Sequence, residues 1–290
     1  MNRVATVVVF SLLTASCGGT SALATAPDSG STSSSTSESG SGSFTAYSEA
    51  PAGGAAPGAW YNFGVSFSVA PPPCTKTKIG ACTVDPCYSY LPQSSPSDPL
   101  PNAGTVGLSG AEIATLSMKP QADGTYATEV VNGRIPWSDG GEMVVFQWSH
   151  VPGDVGGPGD QLGMATPPYI SLPADAPFAK QPTVISRTQD LTISWSADTP
   201  AQPTDDVSVD LYSGSTQVYC IFGVSAGTGV VPAATLQALG AGDGTYEVHS
   251  KQSASKTVTG SDGKQWKLSF NVDARARMPS GMASGPVTFQ

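Results

Sequence analysis

Short runs of alternating apolar and polar residues recur from Trp60 onward, and clusters of Gly, Pro, Asp and Ser separate them. The clearest runs are 64–69, 191–195, 207–211 and 266–272. Alternation with a period of two puts every second side chain on one face of a β-strand, where it can be buried. The pattern therefore predicts an all-β protein, an antiparallel β-sandwich of the immunoglobulin-like or jelly-roll-like type.

Three stretches depart from this alternation. Residues 142–148 are more continuously apolar, which is typical of a strand buried on both faces. Residues 232–239 favour a helix of about two turns, because a proline is tolerated at the first helical position. Residues 111–118 are a comparable helix candidate. We expect every other element to be a strand.

A loose internal repeat bears on the number of domains. The sequence Asp-Gly-Thr-Tyr occurs at 123–126 and at 243–246, each time as a turn signal before a Tyr-bearing strand. A duplication predicts two tandem sandwiches, 59–176 and 177–290. Chance recurrence of hairpin turns instead predicts one β domain over 59–290, and both interpretations stay open at this point.

The N-terminus has the pattern of an export signal. Arg3 precedes a mainly apolar stretch of ten residues, 4–13, which is too short to cross a bilayer core, since that needs about 20 residues in a helix. Small residues follow up to Cys17, and this arrangement resembles the lipobox of bacterial lipoproteins, although Thr14 stands where that family prefers Leu. The resemblance implies removal of residues 1–16 and lipidation of Cys17. The alternative is an ordinary secretory signal that is cut nearby.

The next segment, 17–58, is predicted to be a disordered linker. Its Ser- and Gly-rich part, 26–43, has no aromatic or branched aliphatic residue and so cannot bury enough apolar surface to offset the entropy of ordering. Ordered structure is expected to begin near Trp60. A flexible spacer of about 40 residues reaches roughly 35 Å, enough to hold a folded part clear of a membrane.

Composition limits the classes of partner and fold. The net charge is −9, and the chain has no basic cluster that could follow a phosphate backbone, so nucleic acid is not an expected partner. Charged residues make up 12%, too few for the Glu- and Lys-rich pattern of a coiled coil. The expected partners are a membrane, through the N-terminal lipid, and a polysaccharide or an envelope protein.

Four cysteines follow Cys17, and an even number in an exported chain predicts two disulfides. Spacing does not choose among the three pairings. The favoured interpretation joins Cys82 to Cys87 in a short loop and Cys74 to Cys220 across the chain. A cysteine zinc site is disfavoured, because the spacings lack the paired short loops of such sites.

One motif suggests nucleophilic catalysis. Gly223-Val-Ser-Ala-Gly227 matches the G-x-S-x-G nucleophile elbow, and Ser225, Asp243 and His249 follow the residue order of the α/β-hydrolases. That elbow requires a parallel sheet with helices, which the pattern does not predict, and Asp243 is expected in a hairpin turn. A secreted serine hydrolase is therefore an alternative, and we expect a protein that is not an enzyme.

Other candidate sites are weaker. The Gly/Asp loop 153–160 offers Asp154 and Asp160 to calcium, but calcium takes six to eight oxygens, so a surface loop is the better interpretation. His150 and His249 are interpreted as surface histidines at strand ends. We therefore predict no metal and no cofactor.

The tryptophans divide into core and loop residues. Trp148, Trp195 and Trp266 lie in period-two runs and are expected in the core. Trp137 follows a proline in a predicted loop and is the candidate for an exposed platform on which a sugar could stack. A carbohydrate-binding module is therefore a further alternative function.

A resemblance extends over most of residues 80–240. Its motifs are Cys82-Thr-Val-Asp-Pro-Cys87, Ala103-Gly104, Gly140-Gly141, Asp190-Leu-Thr-Ile-Ser-Trp195, Cys220-Ile-Phe, Gly227 and Val231-Pro-Ala-Ala-Thr-Leu236. In these the chain is similar to surface lipoproteins of myxobacteria and their relatives, a group without an established activity. The resemblance implies an envelope-bound β protein, and no catalytic residue carries over from it. The leading hypothesis is thus a non-catalytic structural or binding module, anchored at the outer membrane or cell surface.

Overall fold

The computed structural model describes residues 38–49, 59–68, 74–88, 102–149, 160–179, 182–260, 265–278 and 281–290. All of them belong to one compact unit, Thr36–Gln290. The described chain is nearly all β, which confirms the predicted fold class. The signal sequence and Cys17 lie outside the described residues.

The strands in chain order are β1 (Glu38–Glu49), β2 (Trp60–Ser68), β3 (Thr77–Ile79), β4 (Cys82–Asp85), β5 (Val106–Gly110), β6 (Ile113–Met118), β7 (Glu129–Asn132), β8 (Met143–Trp148), β9 (Asp160–Ala165), β10 (Ile170–Ser171), β11 (Thr183–Ile185), β12 (Leu191–Ser194), β13 (Ser196–Ala197), β14 (Asp206–Ser213), β15 (Thr216–Gly223), β16 (Thr228–Val231), β17 (Gly242–Thr259), β18 (Gln265–Arg275), β19 (Arg277–Met278), β20 (Gly281–Met282) and β21 (Ser284–Phe289). One short α-helix, α1 (Ala233–Leu236), and one 3₁₀ turn, Val224–Ala226, complete the described elements.

A large sheet organises the molecule. Its strand order is β3-β4-β15-β14-β17-β18-β1-β2-β7, and β21 pairs with both β17 and β11. Most neighbours are antiparallel, as predicted, but β1 runs parallel to β18 and β11 runs parallel to β21. A four-stranded antiparallel sheet, in the order β6-β5-β8-β9, forms a separate layer, which we call the small sheet.

The extent of the predicted linker was wrong for residues 38–49, which form β1 between β18 and β2. Phe44 and Ala46 point into the core, and the ring of Phe44 stacks on Phe270 with centroids 4.9 Å apart. The segment is poor in apolar residues, but a strand with a partner on each side pairs its backbone groups along both edges. Two apolar side chains and two ladders are therefore enough to order it.

Two further expectations were wrong in detail. Residues 111–118 do not form a helix, because Ala111 lies in a turn at φ 47° and Ile113–Met118 is strand β6. Strand β8 alternates exposed and buried side chains, so it is covered on one face and not on both. The helix at 232–239 is confirmed only as the single turn of α1, after Pro232 as N-cap.

The apolar side chains form two cores. The first is built by β1, β2, β18 and the small sheet, around Phe44, Phe146 and Phe270. The second is built by β14, β15, β21 and the first half of β17, with β12, β16 and α1 on the other side. Residues 258–274 pack in the first core with residues 44–169. The two cores are thus not the two halves of the chain, while the predicted domain limits themselves stay a prediction.

Candidate functional site

The face of the large sheet that points away from both cores carries a row of polar side chains, which we call the polar face. It is defined by Tyr47, Asp210, Glu247, His249, Asp273 and Arg275. Register explains the cluster: His249 lies opposite Ser208 on β14 and opposite Arg275 on β18. Side chains opposite each other on neighbouring strands are about 5 Å apart at Cβ, which is close enough for these groups to interact.

His249 lies between two carboxylates. Its Nδ1 is 3.7 Å from Asp210 Oδ2, and its Nε2 is 3.5 Å from Asp273 Oδ1. Both separations are ion-pair distances, longer than a hydrogen bond. Asp210 also accepts hydrogen bonds from Ser208 Oγ at 2.7 Å and Gln217 Nε2 at 2.8 Å. The prediction of a surface histidine at a strand end was wrong, because His249 lies within β17 and its side chain is 13% exposed.

The proposed Ser225, Asp243 and His249 constellation is not assembled. Asp243 was expected in a hairpin turn, but it lies on β17, six residues before His249. Six residues span about 20 Å along a strand. Ser225 is exposed on the 3₁₀ turn after β15, two strands from β17 and therefore at least about 10 Å away. A triad needs hydrogen-bond contact between these groups, so this geometry does not form one.

Arg275 is the centre of a second polar group. Its guanidinium pairs with Glu49 and with Glu247, the latter at 3.1 Å, and its Nε donates to the hydroxyl of Tyr47. The Tyr47 hydroxyl in turn donates to Glu247. The guanidinium also lies 5.8 Å from the ring centre of Trp60, which stacks on Tyr47. Arg275, Tyr47, Glu49 and Glu247 are thus linked to one another by hydrogen bonds and ion pairs.

Burial and neighbouring charges shift the pKa values on the polar face. Burial raises the pKa of Asp273, although His249 and Lys251 oppose the shift. Burial also acts to raise the pKa of Glu247, but the hydrogen bond from Tyr47 and the charges of His249 and Arg275 outweigh it and lower that pKa. The polar face is therefore a partly satisfied network, in which His249 Nδ1 and Asp273 Oδ1 are buried without a hydrogen-bond partner among the described residues.

The four cysteines form two disulfides, as predicted, but the favoured pairing was wrong. Cys74 pairs with Cys87, and Cys82 pairs with Cys220. The cause is sheet register: β4 pairs with β15 so that Cys82 stands directly opposite Cys220. Both Cys82 and Cys220 are fully buried in the second core.

The predicted sugar platform at Trp137 was wrong. Trp137 lies in an irregular segment, as expected, but its side chain is 0% exposed and stacks on Tyr169. A buried ring cannot offer its face to a ligand. Trp148, Trp195 and Trp266 are buried, as predicted. The histidine at 150 and the aspartate at 154 lie outside the described residues, and Asp160 is the first residue of β9.

A groove lies on the outer face of the small sheet. We call it the polar groove, and it encloses about 430 Å³. Its polar side chains at outward positions are Thr105, Thr115, Ser117, Gln147, Ser149 and Gln161, whereas Asp160 at its edge stands opposite the inward-facing Trp148. The volume is within the range of about 300–1,000 Å³ that is common for small-molecule sites.

The groove is built on one row of paired residues. Ser117 on β6, Gly107 on β5, Gln147 on β8 and Gln161 on β9 stand opposite one another in register. Gly107 has no side chain, so it forms the floor between Ser117 and Gln147. At one end, Asp160 pairs with Lys256 at 3.3 Å. The outward side chains of the described lining are therefore hydroxyl and amide groups, and the carboxylate of Asp160 lies on the inward side beside its cation.

This groove is not evident from the pattern of residues along the chain. Its outward residues are Ser, Thr, Gln and Gly, which match the usual exposed side of a strand. The alternation within β8 indicates which residues point outward, but only the pairing of the strands shows that they form one row. The one signal in the sequence that could have indicated the groove is the lack of charged residues at the outward positions of these strands.

The described residues contain no group of three or more His, Cys, Asp or Glu side chains arranged to hold a metal ion. In the same part of the chain, no helix is long and apolar enough to cross a membrane. Comparison of the chain with known protein families and with curated proteins finds no match.

Proposed function

We infer that this protein is an exported, non-catalytic binding module of the cell envelope, held at a membrane by a lipid on Cys17. The observation that carries the proposal is the pair of disulfides, which takes up all four cysteines after Cys17. Disulfides persist in oxidising compartments outside the cytoplasm. Their presence supports the sequence pattern of residues 1–17, which predicts an export signal that ends at a lipidated cysteine.

The non-catalytic part of the proposal rests on the arrangement of polar groups. Ser225 is far from His249, and His249 lies between carboxylates on the polar face. Arg275, Tyr47 and Glu247 contact one another through hydrogen bonds and an ion pair. The polar groove is different, because its hydroxyl and amide groups line an open surface, and we assign ligand binding to it.

Fractionation of cells tests the location and the anchor. The full chain is expressed in a Gram-negative host beside Cys17→Ala and the control Ser16→Ala, which keeps the cysteine and a small residue before it. The wild type and S16A should sediment with the membranes, whereas C17A should be exported without an anchor and stay soluble. One acyl chain binds a membrane only marginally, so firm sedimentation indicates more than one chain. Wild-type protein in the cytoplasmic fraction, or C17A that still sediments, would contradict the proposal.

A further inference from the structure

We propose that the polar groove binds a neutral, hydroxyl-rich ligand, namely a linear glycan without ionised groups. The proposal rests on the function proposed above and names the ligand class of that site.

The hydrogen-bonding groups of the groove match this chemistry. Six of its side chains, Thr105, Thr115, Ser117, Gln147, Ser149 and Gln161, carry a hydroxyl or an amide. A hydroxyl both donates and accepts, and an amide accepts through its oxygen and donates through its nitrogen. The hydroxyls of a sugar also both donate and accept. A lining of this kind can therefore pair with successive sugar hydroxyls without leaving a charge unpaired.

Charge excludes the acidic members of the same class. Among the described lining residues the one carboxylate, Asp160, is paired with Lys256, whose ammonium lies 5.1 Å from the ring centre of Trp148. None of these described lining residues is a Lys, Arg or His, so this part of the groove offers no cation to an anionic polymer. The protein as a whole carries a net charge of −9, which repels polyanions at long range.

The shape of the groove favours an extended chain. The row from Ser117 to Gln161 crosses three gaps between strands, or about 14 Å at 4.8 Å per gap. A Cβ atom at Gly107 would lie 3.3 Å from the carbonyl oxygen of Leu116 and 3.9 Å from the side chain of Gln147. Any side chain at position 107 would thus stand in the middle of the row and divide the groove.

The described lining of the groove has no aromatic platform, because its aromatic residue, Trp148, is 2% exposed and turns its ring to the core. Hydrogen bonds to the amides of Gln147 and Gln161 therefore carry the binding. A hydrogen bond exchanged with water changes affinity by about fivefold. Loss of both amides should accordingly weaken binding by about 30-fold.

Calorimetry on the detergent-solubilised full chain tests the proposal. The probes are cellohexaose, xylohexaose and mannohexaose, with hexagalacturonate as the acidic counterpart and an uncharged Gly-Ser peptide as a polar ligand that is not a sugar. At least one neutral hexasaccharide should bind, and neither the acidic sugar nor the peptide should compete with it. Gly107→Val and the double variant Gln147→Ala/Gln161→Ala should each weaken that binding tenfold or more.

Gly64→Val is the matched control. Gly64 lies in β2 on the outward side of the large sheet, and a Cβ there meets only Thr128 Oγ1 at 3.9 Å, so this variant should bind like the wild type. If G107V does not fold, the double glutamine variant still decides, because its side chains are exposed. No binding of any neutral hexasaccharide, equal binding of the acidic sugar or the peptide, or unchanged affinity in Q147A/Q161A would overturn the ligand class. Membrane retention that depends on Cys17 would be untouched by such a result.

Discussion

The indole of Trp137 stacks on the phenol ring of Tyr169, with ring centroids 6.0 Å apart and ring planes inclined by 21°. Both side chains are almost completely buried, and the Tyr169 hydroxyl is hydrogen-bonded to Ser48 of β1 at 2.6 Å. An irregular segment before β8 is thereby joined to strand β1 of the large sheet. Aromatic pairs of this kind contribute beyond their buried area.

The buried position of Trp137 changes what its removal should do. Trp137→Ala should cost about 3–5 kcal/mol of unfolding free energy, as should Trp195→Ala, because each removes a large packed ring. Trp195 is 6% exposed, and its Nε1 also donates to the carbonyl of Val224. Tyr88→Ala is the control, with a side chain 52% exposed and an expected cost within about 1 kcal/mol. Urea midpoints at constant slope measure all three. A Trp137→Ala loss as small as that of Tyr88→Ala would contradict the stacked, buried position.

The position of strand β1 within the large sheet can be tested by a single substitution. A Cβ atom at Gly42 would lie 2.5 Å from the ring of Phe67 and 2.9 Å from Leu268. Gly42→Val should therefore destabilise the protein by about 1–3 kcal/mol through overpacking. Ser43→Val, the next residue on the same strand, points to the opposite face and should change stability by less than about 0.5 kcal/mol. Equal, negligible effects of the two variants would indicate that this segment is not part of the sheet.

The two disulfides should contribute unequally. Cys82–Cys220 closes a loop with a sequence separation of 138, and Cys74–Cys87 closes one of 13. Loop entropy in the unfolded chain predicts losses of about 4–5 kcal/mol for Cys82→Ser/Cys220→Ser and about 3 kcal/mol for Cys74→Ser/Cys87→Ser. Burial of Cys82 and Cys220 in the second core adds to the difference. Guanidinium unfolding of the two double variants checks the order, and the reverse order would rule out this pairing.

The pKa of Asp273 gives a dependence of stability on pH. Its folded-state pKa is raised above the ordinary value of 3.8 by burial, so above about pH 4 the unfolded chain releases a proton that the folded chain retains. Stability therefore falls as the pH rises through this window. Asp273→Asn removes the free-energy cost of ionising this buried carboxyl group. The variant should therefore be more stable than the wild type at pH 7, and the difference should vanish near pH 3. Asp175→Asn, at an exposed site, should show no such trend in urea midpoints measured from pH 3 to 7. A lower stability of D273N at pH 7 would contradict it.

The strands that alternate strongly could be predicted because their apolar side chains alone decide which face is buried. β12 and the first part of β18 are such cases, whereas in β14 the polar Ser208 and Asp210 are also buried. Strand β1 could not be predicted, because it is ordered by its backbone hydrogen bonds to β18 and β2. β18 lies far away in the sequence, and the pattern of β1 itself does not indicate either partner. The residues at 111–118 have helix-forming side chains, but the turn at Ala111 and pairing with β5 override that propensity.

The candidate sites could be predicted less well than the strands, because a site depends on the register between neighbouring strands. The pairing of Cys82 with Cys220 and the row through Gly107 and Gln147 both depend on which residues stand opposite each other on neighbouring strands. Spacing along the chain does not contain that information. The serine motif is the converse case: residues in the right order along the chain lie apart in the sheet, since Asp243 and His249 are on one long strand.

The central claim, an exported protein anchored through Cys17 and closed by two disulfides, is tested most directly by the mass of the intact protein. The protein is extracted from membranes without reductant, treated with a thiol-alkylating reagent under denaturing conditions, and weighed before and after reduction. The account predicts a chain that starts at Cys17 with attached acyl groups, no alkylation before reduction and four alkylated thiols after it. An N-terminus at Met1 or beyond Cys17, or thiols that react without reduction, would contradict the account.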